Sequence, residues 1–108
     1  MTKIAQLNDK LRKDILNPHI KGKAVLTAGV SILPYAHAVI EQVQNFNEFT
    51  KDNDPYKEHD FGQFFINNIK FFWKIDYYDS PKMEYGSDDP SSEEKTFRVL
   101  TIMKAEEY

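Results

Sequence analysis

The segment Asp52–Asp79, DNDPYKEHDFGQFFINNIKFFWKIDYYD, decides how this chain folds. Its later part holds two strand-like runs, Phe61–Ile66 and Ile69–Tyr78, on either side of Asn67-Asn68. Asparagine tolerates positive φ better than most residues, so the pair predicts a two-residue hairpin turn. In the longer run Ile69, Phe71, Trp73, Ile75 and Tyr77 fall on one side, and Lys70, Phe72, Lys74, Asp76 and Tyr78 on the other. The uncharged side is expected to face the core, while the side with alternating charge is partly wet. Ahead of the hairpin, Thr50–Asp60 lacks periodicity, is rich in Asp and Asn, contains Pro55, and reads as a loop.

Working outward, Lys23–Val30 (KAVLTAGV) is a β-rich run between Gly22 and Gly29 and predicts a strand. A helix follows from Pro34 in its first turn to about Phe49, with Ala36, Val39, Ile40, Val43 and Phe46 sharing a face. At the amino end Thr2 is positioned as a cap, Ile4, Leu7, Leu11 and Ile15 form a helical stripe, and Asn17-Pro18 stops it. Beyond the hairpin, residues 80–94 (SPKMEYGSDDPSSEE) predict a mobile polar loop, and Thr96–Lys104 a last strand. The order α-β-α-β-β-β predicts an α+β fold in a single compact domain over residues 1–108. Its sheet is expected to be antiparallel-rich, with about four strands and two helices on one face. The pairing order stays open.

Composition narrows the function classes. A hydrophobic content of 41% with 29% charged residues supports a folded globule over a disordered chain. Eight Phe, six Tyr and one Trp can supply most of a core for 108 residues. The absence of cysteine excludes disulfides, thiolate catalysis and cysteine-ligated zinc. No apolar run approaches membrane-spanning length and the start, MTKIAQLNDKL, lacks the apolar stretch of a signal peptide, so no membrane association and a cytoplasmic location are expected. Residues 1–49 carry six basic and four acidic groups, whereas residues 50–108 carry eight basic and thirteen acidic ones. Acid concentrated on the later loops argues against a general phosphate-backbone binder and points to a basic partner.

The candidate chemistry is limited. His59-Asp60 beside Asp52, Asp54 and Glu58, with Asp76 and Asp79 from the next strand, offers ligand types for a divalent ion and so a metal-dependent hydrolase as one alternative. The spacing of a calcium loop is missing, because Tyr56 follows Asp52 and Asp54, and adjacent His and Asp in an extended segment point apart. Asp52 or Asp54 capping a turn is the simpler reading. No serine sits in a nucleophile elbow, and the four scattered glycines build no phosphate-cradling loop, so neither an enzyme nor a cofactor is expected. Lys70, Phe72, Lys74 and Tyr78 share a face that a single-stranded nucleic acid could stack on, a second alternative. Asp76 in the same row argues against it.

EHDFG at Glu58–Gly62, WKIDYYD at Trp73–Asp79 and RVLTIMKAEEY at Arg98–Tyr108 occur in order. Together they resemble a family of small bacterial proteins, the domain-of-unknown-function family 3768, and GKAVLTAGV at Gly22–Val30 fits it too. The resemblance extends from the first helix to the last residue. It implies a bacterial, cytoplasmic, stand-alone domain often carried on plasmids or phages, and it brings no catalytic residue with it.

The expectation that follows is a small acidic protein-interaction module. Its partner-binding residues are Asp52, Asp54, Tyr56, Glu58, Tyr78, Asp79, Tyr85, Asp88 and Asp89, where carboxylates alternate with phenols. Tyrosine suits interfaces because it combines area with a polar end. In its sharpest form the module is an inhibitor from a mobile genetic element that covers the basic surface of a host defence nuclease or CRISPR effector, an anti-CRISPR or anti-restriction protein.

Overall fold

The threonine at position 2 opens the first helix, α1 (Lys3–Lys13), its hydroxyl accepting a 3.0 Å hydrogen bond from the Ala5 amide. This satisfies one of the amides that every helix start leaves without a partner. The computed structural model describes residues 1–108 and continues with β1 (Gly22–Leu26), α2 (Ala28–Ser31), α3 (Ala36–Gln44), β2 (Phe61–Ile66), β3 (Ile69–Tyr78) and β4 (Phe97–Lys104), closing on a 3-10 turn at Ala105–Glu107. The fold is α+β. A single sheet runs in the order β1-β4-β3-β2. β2, β3 and β4 are antiparallel neighbours and β1 joins β4 in parallel, so the sheet is mixed. No helix is long and apolar enough to cross a membrane.

The hairpin forms where the Asn pair predicts it. Asn67 and Asn68 both take positive φ, 51° and 65°, and Ile66 lies opposite Ile69. A two-residue turn with both φ positive matches the right-handed twist of the strands it joins. The alternation in β3 also holds, with Phe71, Trp73 and Ile75 buried. They meet Leu11, Ile15, Val30, Val39 and Val43 from the helical layer, and Leu100 and Ile102 from β4. Each such side chain contributes on the order of 1.5–3 kcal/mol when removed from water, so this cluster carries the fold. The buried arc of α1 is Ala5, Leu7, Asn8, Leu11 and Arg12. It is turned toward Asn8 and Arg12, relative to the stripe that begins at Ile4.

The first helix ends at Lys13, short of the Asn17-Pro18 stop, and two further boundaries shift where a distant side chain takes over a helix end. The strand expected over Lys23–Val30 stops at Leu26, and Ala28–Ser31 turns into α2. The Glu107 carboxylate accepts from the Thr27 hydroxyl at 2.7 Å and the Gly29 amide at 3.0 Å, and so stabilises the helical turn from outside. The second long helix, expected to reach Phe49, ends at Gln44. Arg12 donates to the carbonyls of Val43, Gln44 and Phe46 at 2.8, 3.2 and 2.8 Å, satisfying the carbonyls that the helix end exposes.

Residues 80–94, expected to form a mobile polar loop, are hydrogen-bonded back to the sheet. The Asp79 amide donates to the Tyr85 carbonyl at 3.0 Å and the Ser87 amide to the Tyr77 carbonyl at 3.1 Å. Thr96 is buried and donates its hydroxyl to the Asp89 carbonyl at 2.8 Å.

Gly62 lies opposite Trp73 in the hairpin register, on the face covered by the helices. A Cβ at Gly62 would overlap the Trp73 indole and also press on the Phe46 ring. Gly62→Ala is expected to destabilise the domain by about 1–3 kcal/mol, the usual result of overfilling a packed core. Urea unfolding compared with the parent checks this, and an unchanged midpoint contradicts it.

Candidate functional site

Arg12 and Asp9 lie one turn apart on α1 and meet the loop that leads into β2. The Arg12 guanidinium donates to Asp9 at 3.0 Å. The same Asp9 oxygen lies 2.9 Å from Nδ1 of His59, whose Nε2 lies 3.6 Å from Asp54. The His59 ring stacks on Phe49 with centroids 3.8 Å apart and planes within 3°. Arg12 sits 5.5 Å from the Phe49 ring centre and 5.1 Å from that of Trp73. A cation wedged between aromatic faces gains from their quadrupoles, most where water is excluded. Here the side chain is 2% exposed, and burial lowers its pKa, opposed by Asp9.

The loop is wound so that it can reach this junction. Lys57 and His59 both adopt positive φ, 57° and 56°. Asp54, itself buried, accepts the amides of Glu58 at 2.9 Å and His59 at 3.1 Å through one oxygen. This is the capping role that a turn-forming aspartate suggests. The extended geometry expected at His59-Asp60 is not what forms. His59 turns toward Asp9 and Asp54, while Asp60 continues the hairpin ladder, its carbonyl accepting from Ile75 at 2.9 Å.

A second buried network lies beside the first. Tyr77 donates to Glu58 at 2.8 Å and accepts from Asn8, also at 2.8 Å. Asn8 donates to the Glu58 carbonyl at 2.9 Å and accepts from Arg98 at 2.8 Å. Arg98, fully buried, also donates to the Pro90 carbonyl and lies 5.3 Å from the Tyr77 ring centre. Burial first, opposed by the Asn8 hydrogen bond and aided by the one to Glu58, pushes the Tyr77 phenol well above its ordinary range, so it stays protonated as a donor. Asp60 is also pushed up, by burial first and then by Glu58, Asp54 and Asp76. This marks a local crowding of negative charge.

The topology gathers the acid-rich segments at one end of the sheet. β2 begins there, β3 ends there and β4 begins there, so residues 50–60 and 79–96 emerge side by side. Of the nine residues expected to meet a partner, Asp52, Tyr56, Asp79, Tyr85 and Asp88 are exposed, with Tyr56 and Tyr85 at 80% and 70%. Asp54 is turned inward, Glu58 is held by Tyr77, and Asp89 accepts from the amide and hydroxyl of Ser91. Tyr78 is half-buried on the sheet face away from the helices, bridged to Gly86. Glu84 adds an exposed carboxylate to the same pole.

Asn8, Asp9 and Arg12 lie in no motif, and Arg98 opens one, RVLTIMKAEEY, without being marked there as a buried partner. The available signal was spacing, because Asn8 and Arg12 lie four apart within the buried arc of α1. Polar groups there require partners.

Next to His59, an open cavity of about 610 Å³ is lined by Met1, Thr2, Phe49, Thr50, Lys51, Asp54, Pro55 and Lys57. No three His, Asp or Glu side chains gather so that they could hold a metal ion. Lys70, Phe72, Lys74 and Tyr78 do share the open sheet face, with Lys70 5.3 Å from the Phe72 ring centre. On that face Lys74 is paired with Asp76 at 3.0 Å.

Residues 26–107 match the family described as protein of unknown function (DUF3768), and the chain belongs to it. The matched stretch begins at the end of β1, so α1, with Asn8, Asp9 and Arg12, lies outside it. No curated protein and no solved structure matches the chain.

Two outcomes test the junction. Arg12→Leu leaves Asp9 and three carbonyls without their donor and is expected to cost about 3–5 kcal/mol in urea unfolding, as for other broken buried ion pairs. A loss within the error of the measurement contradicts it. For Asp60, a raised folded-state pKa means that its contribution is fully present below the ordinary carboxylate range and is lost as pH rises through the raised value. Asp60→Asn is therefore expected to remove a fall in stability just above that range, read from melting temperatures across a pH series.

Proposed function

We propose that this member of the DUF3768 family is a small acidic protein-interaction module that docks through the loop pole of its sheet. The observation that carries the reading is topological: two acid-rich segments, separated by the whole hairpin in sequence, emerge together at one end of the domain. Exposed Asp52, Asp79, Glu84 and Asp88 surround the exposed phenols Tyr56 and Tyr85. Carboxylates at such a rim accelerate encounter with a basic surface, and phenols supply contact area once the pair has met.

The inward carboxylates support the same reading from beneath. Asp54 and Asp89 fix the backbone of their loops, so the exposed groups are presented by segments that lose little freedom on binding. Glu93 is paired with Lys10 at 3.3 Å, which ties the later loop to α1. The partner is a cytoplasmic protein with a basic surface. In the sharpest form the module comes from a mobile genetic element and covers the nucleic-acid channel of a host defence nuclease or CRISPR effector, where a negative pole stands in for phosphate.

The test uses the immobilised full chain against bacterial lysate, beside a variant combining Asp52→Lys, Asp79→Lys and Asp88→Lys. A nucleic-acid-binding protein retained by the parent at low salt, released as salt rises and absent from the variant is the expected result. Equal retention by both, or none by the parent at low salt, contradicts the proposal.

A further inference from the structure

The two edges of the sheet differ in a way that bears on assembly. β1 carries exposed Lys23 and follows exposed Lys21, the type of charge that keeps an open edge from pairing. β2, the opposite edge, reads FGQFFI and has no charge, no proline and no lysine. Phe65 stands 64% exposed on it.

The hairpin register fixes which backbone groups on β2 are free. Ile66 and Ile69 close a two-residue turn, and the Ile75 amide donates to Asp60 at 2.9 Å, so residues 60, 62, 64 and 66 exchange hydrogen bonds with β3. Phe61, Gln63 and Phe65 therefore point their amides and carbonyls out of the sheet, and no other segment takes them up. Three donors and three acceptors along an uncharged strand form a template for one more strand.

We propose that β2 pairs antiparallel with β2 of a second copy of this chain, about a two-fold axis at Gln63, to form a continuous eight-stranded sheet. Self-complementarity of the strand about Gln63 selects this occupant, and the charge of the loop poles selects the direction. The strand is neutral, so two copies do not repel along it. Antiparallel pairing sends the two acidic loop poles to opposite ends of the dimer, whereas parallel pairing brings them together. With the axis at Gln63, Phe61 of each copy faces Phe65 of the other on the open face. Cross-strand aromatic pairs of this kind stabilise sheets. Lys74 and Lys70, the register partners of Phe61 and Phe65 on β3, flank this aromatic row. The interface is isologous and closed, and it leaves both acidic poles free.

Sedimentation equilibrium of the full chain tests this, together with two cysteine variants that the cysteine-free sequence makes unambiguous. The parent is expected at twice the chain mass, and Phe65→Lys, on an exposed position, is expected to weaken dimerisation by about tenfold or more while leaving the far-ultraviolet spectrum unchanged. Gln63→Cys places two thiols about 5.5 Å apart at Cα, within disulfide reach, and should crosslink under mild oxidation. Asn67→Cys puts them roughly 26 Å apart, from the rise per strand residue, and should not. A parent that stays at single-chain mass into the high micromolar range, a dimer indifferent to Phe65→Lys, or a dimer in which Gln63→Cys fails to crosslink overturns the proposal.

Discussion

A single buried guanidinium holds the helical layer, the first acidic loop and the sheet in one arrangement. Arg12 ends α3 by taking its last carbonyls, fixes Asp9, and through Asp9 orients His59 and the loop above it. A charge taken out of water is costly unless its surroundings satisfy it. This site supplies three carbonyls, a carboxylate and two aromatic faces, and leaves only Nε without a partner. Removing any one partner would leave the others uncompensated in a place water does not reach, so the junction tolerates little rearrangement.

The second network follows the same logic one turn earlier on the same face of α1. Asn8 and Arg98 bring together α1, β4 and the end of β3 around a phenol that remains protonated. Between them the two networks tie both acid-rich segments to the core. Residues 50–60 are held by Asp54 and His59, and residues 79–96 by Arg98 on the Pro90 carbonyl and by Thr96. The acidic pole is thus built on anchored loops. Its exposed carboxylates are the remainder after Asp54, Glu58 and Asp89 have been used to shape it.

How much of this could be read in the chain depended on whether the deciding interaction was local. The hairpin was legible because a period-two pattern and two asparagines act over a few residues, and Trp73 fell on the buried face for the same reason. The ends of β1 and α3 were not, because Glu107 and Arg12 act across 78 and 31 residues of chain. The parallel β1–β4 pairing was equally hidden, since no local pattern encodes which edge a short strand joins. At the site, His59 and Asp54 stood out as chemistry-bearing residues, but Asp9, the group that binds the imidazole, lay 50 positions away on a helix. The capping role of Asp54 was the simplest reading of its loop, and the structure adopts it. The acidic character of the pole was visible as a charge imbalance, and its concentration at one end needed the strand order.

Hydrogen exchange of the Glu58 and His59 amides tests most directly whether the buried junction holds the acidic loop. Both amides bond to Asp54 above the Asp9–Arg12 pair, so they are predicted to exchange as slowly as amides in α3 and to accelerate together with them in Asp9→Asn. Exchange at the rate of an unstructured peptide in the parent protein would contradict this account.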